Sequence, residues 1–189
     1  MRVVSGVAKG VSLFSPKGAK TRPTSDFVKE NLFNIIRDDV RGTRFLDLFA
    51  GSGAIGIEAL SRGAESVVFV DFSRESIELV RKNLEKTRLV GSGAIVIKGD
   101  ALSALKKLGG QKFDIIFIDP PYNDNDLATE VFREICAMDI LEDDGYIILE
   151  MSRQASVPKT IGLEIFREKE YSGTKLVFLE KTIDSEEIS

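Results

Sequence analysis

The 189-residue chain has no histidine, no tryptophan and one cysteine, Cys136. Without histidine, Ser-His-Asp and Cys-His nucleophilic mechanisms are excluded, as are histidine-ligated metals and the commonest neutral-pH general base. A single cysteine permits no intramolecular disulfide and argues against cysteine-based clusters, so no metal site is expected. Cys136 falls in a periodic apolar stretch and reads as an inert core thiol. Without tryptophan, any stacking on a base falls to Phe, Tyr or Arg. No apolar run approaches the roughly 18 residues that span a bilayer, and no charged-then-apolar leader is recognised. A soluble, cytoplasmic protein without membrane partners is expected. Its chemistry must come from carboxylates, hydroxyls, backbone groups or a cofactor.

Hydrophobic residues make up 43% of the chain and charged residues 30%, enough core for one domain with a small appendage. A monomer is the simplest expectation. The formal charge of −4 hides an asymmetry, because residues 1–44 carry nine Lys/Arg against four acids. Such a basic front end reads either as a solvated arm or as an electrostatic footprint for nucleic acid, with Lys9, Lys17, Lys20 and Arg22 as candidate contacts.

From Phe45 onward, apolar runs alternate with helical patterns. Strands are expected at Arg44–Phe49, Ser66–Val70, Ala94–Ile97, Phe113–Ile118 and Gly145–Glu150. Helices are expected at Ala54–Arg62, Arg74–Lys86, Ala101–Leu108 and Asp126–Met138. This rhythm predicts a mainly parallel α/β sheet with helices on both faces. Two strand-like runs around Tyr171-Ser172-Gly173 then predict a closing antiparallel hairpin, which is ordinary among S-adenosylmethionine-dependent methyltransferases. Ahead of the sheet, "RVVSG" and "VSLFSP" suggest two short strands, followed by a helix capped at Thr24 or Ser25 and running to about Ile36. "DSEEIS" reads as a frayed tail.

Ligands of open α/β sheets sit beyond the carboxyl ends of the strands. Four predicted strands end in or near an acid: Asp47, Asp71, Asp100 and Asp119. Gly51-Ser-Gly53-Ala-Ile-Gly56 has the letter pattern of a dinucleotide-binding turn, which alone leaves nicotinamide dinucleotides, flavins and S-adenosylmethionine standing. Asp47 narrows the choice. A pyrophosphate would be repelled by about 1–4 kcal/mol at contact, whereas a sulfonium and an ammonium would be attracted. Asp71 stands twenty residues after Gly51, the spacing of a carboxylate that takes ribose hydroxyls, and Asp100 can accept from an adenine amine. Phe49, Gly51, Gly53, Phe72, Ser73, Ala101 and Asp119 complete the expected cofactor set.

"FDIIFIDPPYND" contains two prolines that cannot continue a central strand. Asp119-Pro120-Pro121-Tyr122 matches the [N/D]-P-P-[Y/F/W] motif of methyltransferases acting on planar amines. The Asp119 carboxylate and the Pro120 carbonyl can accept the two amine hydrogens, and Tyr122 can stack on the ring, worth roughly 1–3 kcal/mol.

With "TRPTSDFVKENLF", "LDLFAGSGAIGIEALSRGA", "GDA", "FDIIFIDPPY" and "REKEYSGTKLVFLEK", the chain resembles the bacterial 16S rRNA (guanine-N2)-methyltransferase family, the RsmD type, over nearly its whole length. The resemblance implies a class I methyltransferase fold at residues 41–183, an RNA-holding N-terminal extension at 1–40, and a tail at 184–189. It implies methyl transfer from S-adenosylmethionine, leaving S-adenosylhomocysteine, to one guanine of 16S rRNA in the assembling small subunit. Arg22 and Thr24 match a front-segment motif near the site. Asp71 stands where the family commonly has Glu, and Lys29 where it has Arg. "SGVAKGVSL" lacks a later arginine of the family's N-terminal run. The rivals are adenine-N6 or protein-glutamine methylation, a nicotinamide-dependent oxidoreductase, and a non-enzymatic RNA-binding relic.

Overall fold

A computed structural model describes residues 1–16, 23–121 and 124–182. Lys17, Lys20, Arg22, Tyr122 and the tail at 184–189 lie outside the described residues, as does the Thr24 side chain. The elements in chain order are α1 (Pro23–Ile35), β1 (Arg44–Asp47), α2 (Ala54–Ser61), β2 (Ser66–Asp71), α3 (Arg74–Thr87) and β3 (Ala94–Lys98). They continue with α4 (Ala101–Lys107), β4 (Phe113–Ile118), α5 (Asn125–Ala137), β5 (Leu141–Ser152), β6 (Leu163–Glu170) and β7 (Thr174–Lys181).

The seven strands form one sheet in the order β3-β2-β1-β4-β5-β7-β6. Strands β1 to β5 pair in parallel, and β7 runs antiparallel to both of its neighbours. Only β7 is therefore reversed, since β6 shares the direction of the first five strands. Side chains alternate across the sheet, so each face has its own core. Phe45, Ile115, Phe117 and Ile148 pack with Leu32 of α1, Ile57 of α2 and Val80 of α3. Leu46, Ile116, Ile147 and Leu149 pack with Leu105 of α4 and Phe132 of α5 on the other face. No helix among the described residues is long and apolar enough to cross a membrane.

The N-terminus departs from expectation. In place of two strands there is one isolated antiparallel bridge, Arg2 to Ser12. The reason lies in where its amides go. Val4 and Ser5 donate to the Glu58 carboxylate at 2.8 and 2.9 Å, and Ala8 donates to Ser61 Oγ at 3.0 Å. The segment is bonded to α2 as well as to itself, where Val3 N donates to the Val11 carbonyl and Leu13 N to the Met1 carbonyl, and Val3, Ala8 and Leu13 join the core of the α1–α3 face. Helix α1 also starts earlier than predicted, at Pro23, a residue suited to a first helical turn because no N–H is needed there. Strand β5 starts earlier too, at Leu141, with an irregularity between the Phe113 and Ile115 pairings.

Glu58 anchors this arrangement. It is fully buried, and besides the two amides it accepts from Lys29 Nζ at 3.0 Å and Arg62 Nε at 2.8 Å. Lys29, itself 2% exposed, also donates to the Arg2 carbonyl. Truncating one partner of such a network strands the others without compensation. Glu58→Ala should therefore lower the unfolding free energy by about 3–5 kcal/mol. Pairing Glu58→Leu with Lys29→Met should recover only part of that loss, because the Val4 and Ser5 amides and Arg62 stay without their acceptor. Urea denaturation of the three proteins measures both.

Candidate active site

The glycine turn between β1 and α2 is held from two sides. Asp71, the last residue of β2, accepts from Gly51 N at 2.8 Å with one oxygen and from Ser73 N at 2.8 Å with the other. Asn83 of α3, fully buried, donates to the Ser52 carbonyl at 2.8 Å. It also exchanges hydrogen bonds with both backbone groups of Phe14, joining the N-terminal segment to the turn.

The three glycines do different work. Gly51 and Gly53 take φ values of 53° and 76°, the left-handed region that a side chain disfavours. A Cβ on Gly51 would meet nothing within 4 Å, so this peptide faces open space, and Gly53 caps α2. A Cβ on Gly56 would stand 2.3 Å from the Phe69 ring, so this glycine lets α2 lie close on β2.

Two adjoining cavities open along the carboxyl edge of the sheet. The larger, about 440 Å³, is lined by Leu48, Phe49, Phe72, Ala101 and Leu102, with Asp71, Asp100 and Asp119 among its walls. The smaller, about 180 Å³, brings together Asp47, Gly51, Ser52, Lys29, Asp119 and Glu150. Phe49 and Asp119 line both, so Asp119 stands at the junction.

Desolvation dominates the electrostatics. Asp47 is 1% exposed and accepts one hydrogen bond, from Gly56 N at 3.0 Å. Burial pushes its carboxyl up to about 7, the Gly56 amide opposes that, and the charges of Asp119 and Asp71 add to it. Asp119 touches solvent through the cleft but is hemmed in by protein, and desolvation raises it to about 6. Glu150 is raised to about 8 by burial and then by the charge of Asp119. Asp100 goes the other way. It caps α4, and the Ser103 N–H at 2.9 Å holds its carboxyl below the usual range.

Most residues expected at the cofactor site thus converge on these cavities. Gly53 and Ser73 do not line either one. They shape the walls instead, Gly53 as the cap of α2 and Ser73 as the cap of α3 and a donor to Asp71. Pro121 lines the larger cavity, and Pro120 is buried behind Asp119. Lys9 is exposed on a turn bonded to the far end of α2, through Val7 N to the Ser61 carbonyl at 2.8 Å, and lines neither cavity. Glu150 is new. Its signal was an acid at the end of the apolar run "GYIILE", the same signature as the other strand ends. Among the described residues, no group of three or more Cys, Asp or Glu is placed to hold a metal ion.

Strand order, the reversed β7 and a glycine turn after β1 define a class I methyltransferase fold. The solved structure of "Putative methyltransferase yhhF from Escherichia coli" superposes with a TM-score of 0.84 at 28% identity, covering 97% of this chain and 99% of that one. The chain belongs to the family described as "Conserved hypothetical protein 95", the RsmD-type family, whose model matches residues 1–180. It is 44% identical over 175 residues to "Putative rRNA methyltransferase YlbH" of Bacillus subtilis (strain 168), covering 92% of this chain and 94% of the relative. It is 32% identical over 170 residues to "Ribosomal RNA small subunit methyltransferase D" of Haemophilus influenzae, covering 89% and 88%.

Asp47 offers a direct check on the electrostatics. Its folded pKa of about 7 lies above the ordinary 3.8, so ionising it costs stability progressively as pH rises between those values. Asp47→Asn removes that cost. The variant, free of any ligand, should be more stable than the parent by about 1–4 kcal/mol at pH 8, with the gain shrinking toward pH 4. Thermal denaturation across pH reads this out, and a variant less stable at pH 8 contradicts the assignment.

Proposed function

We propose that the chain is an S-adenosylmethionine-dependent methyltransferase of ribosomal RNA that modifies the exocyclic N2 amine of a guanine in the 16S rRNA of an assembling small subunit. The observation that carries the chemistry is Asp119. It follows β4 directly, ahead of two prolines, and sits at the junction of an apolar cavity and an acid-lined one. Relatives named for rRNA methylation support the class of substrate.

The residues present fit the cofactor. The larger cavity offers apolar walls and the exposed ring of Phe72 to an adenosine, with Asp71 and Asp100 for its hydroxyls and amine. The smaller offers the buried Asp47 carboxyl and the open Gly51 peptide to a cationic amino-acid end. When bound, S-adenosylmethionine supplies an electrophilic methyl group on a sulfonium and leaves as S-adenosylhomocysteine. The chain's own part is to hold the nucleophile. A base-conjugated amine is a poor nucleophile, and its lone pair becomes available as the nitrogen pyramidalises. The Asp119 carboxylate accepts one amine hydrogen and the Pro120 carbonyl the other, which fixes the nitrogen and favours that geometry. Tyr122 stacks on the guanine ring. Positioning of this kind supplies much of the rate. The ionised Asp119 carboxylate is the stronger acceptor, so activity rises with pH through about 6.

RNA is held by the basic front end, with Lys9, Lys17, Lys20, Arg22 and Thr24 as contacts. Lys29 and Arg44 contribute less than their charge suggests. Lys29 is buried against Glu58, and Arg44 is paired with Asp114 and Glu142. Replacing Lys9, Lys17, Lys20 and Arg22 by Ala should weaken RNA binding and flatten its dependence on salt. An unchanged slope would remove that face from the interface.

The decisive experiment incubates the protein and S-adenosylmethionine with small subunits lacking the modification, followed by mass spectrometry of the digested nucleosides. N2-methylguanosine is expected, and a different methylated nucleoside, or none, contradicts the reading. Asp119→Ala should abolish the product while cofactor affinity by calorimetry stays within about tenfold. Loss of cofactor binding in that variant would place Asp119 on the cofactor rather than on the amine.

A further inference from the structure

Glu150 lies in β5 beside the reaction centre, with no hydrogen-bond partner for its carboxyl among the described residues. Ile118, the last residue of β4, pairs with Leu149, so the residues that follow, Asp119 and Glu150, are neighbours at the end of that ladder. Asp47 pairs with Phe117 and Phe117 with Ile148, and side chains alternate, so Asp47, Asp119 and Glu150 project from the same face. All three line the smaller cavity. Past Ile118 the β4 ladder has ended, and Glu150 is bonded only to β7, opposite Leu176. No hydrogen bond or ion pair engages its carboxyl among the described residues. Of the cationic residues that line the cavity, Lys29 is committed to Glu58 and the Arg2 carbonyl, and the Met1 ammonium faces Asp26 at 3.8 Å. A carboxyl kept there at the cost of desolvation, with nothing to bond, is available for a ligand.

The neighbouring carboxyl is the one assigned to the guanine N2 amine, and this step rests on that reading. On guanine the atom next to that amine is N1–H, and beyond it lies the O6 acceptor. We infer that Glu150 is a specificity-determining residue that accepts the guanine N1–H while Asp119 accepts from the adjoining N2 amine. Two adjacent donors on the base edge then meet two adjacent acceptors on the sheet edge. Burial and the Asp119 charge keep Glu150 neutral at pH 7, which leaves its carbonyl oxygen for N1–H and its hydroxyl for O6. Adenine and cytosine lack this pattern, because the atom beside their exocyclic amine is a bare ring acceptor rather than an N–H, and adenine has no carbonyl beyond it either. A base of that kind leaves at least one oxygen of Glu150 unpaired. Sites built to bond a substrate N–H reject analogues without it.

The test uses small subunits reconstituted with 16S rRNA whose mapped target guanine is retained or replaced by 2-aminopurine. That analogue keeps the N2 amine but has neither N1–H nor O6. Wild-type protein should prefer guanine by about 30-fold in kcat/KM at pH 7. In Glu150→Ala the guanine rate should fall and the preference collapse to within about threefold. Glu150→Gln presents a carbonyl and an N–H in the same plane and should restore the preference. Thermal unfolding of each variant checks the fold. If the alanine variant does not fold, Glu150→Leu, close in shape and without an acceptor, carries the same comparison. A preference retained in the acceptor-free variant, or absent from wild type, overturns the assignment. Failure of wild type to make N2-methylguanosine on the guanine substrate instead overturns the functional reading, and the inference with it.

Discussion

Carboxylates collected at one edge of an apolar sheet resist burial and repel one another, and much of this molecule is arranged around that tension. Because β1 to β5 run parallel, their carboxyl ends fall on one edge, and Asp47, Asp71, Asp119 and Glu150 are delivered there by strand direction alone. Three of them are held above the ordinary carboxylate range, mainly by desolvation. A protein shaped for stability alone would not keep them. A ligand that brings positive charge and hydrogen-bond donors would relieve that strain, and a sulfonium cofactor brings both.

The rest of the structure keeps that edge rigid. Asp71 fastens the glycine turn through Gly51 and the start of α3 through Ser73, and Asn83 fastens it again through Ser52. Asn83 also grips Phe14, while Glu58 grips Val4, Ser5 and Lys29, so the first residues and α1 are built into the same core as the sheet face beneath the smaller cavity. Lys29 shows how charge can mislead. It belongs to the basic front end by sequence, yet it neutralises a buried acid and forms a cavity wall.

The sheet was legible because buried parallel strands are short apolar runs and the helices between them keep a helical period. The Gly51 to Gly56 pattern, the strand-end acids and Asp119 to Pro121 were legible for the same reason: they are local. Strand ends carry information when the sheet is parallel, since every one faces the same cleft. What the sequence did not reveal is mostly long-range. The amides of residues 4, 5 and 8 bond to side chains more than fifty positions away, so a segment that reads as two strands forms one bridge. Glu150 was missed for a different reason. The run "GYIILE" was recognised as a strand, but its terminal acid was not grouped with the others because no motif follows it.

The claim on which the account turns is that this acid-lined edge takes a cationic, phosphate-free nucleoside cofactor. Calorimetric titration with S-adenosylmethionine, repeated between pH 5.5 and 8 and in competition with a nicotinamide dinucleotide, tests it most directly. The account predicts binding that tightens as Asp47 ionises and that the dinucleotide does not displace. Affinity that falls with rising pH, or a dinucleotide that competes at similar concentration, would contradict it.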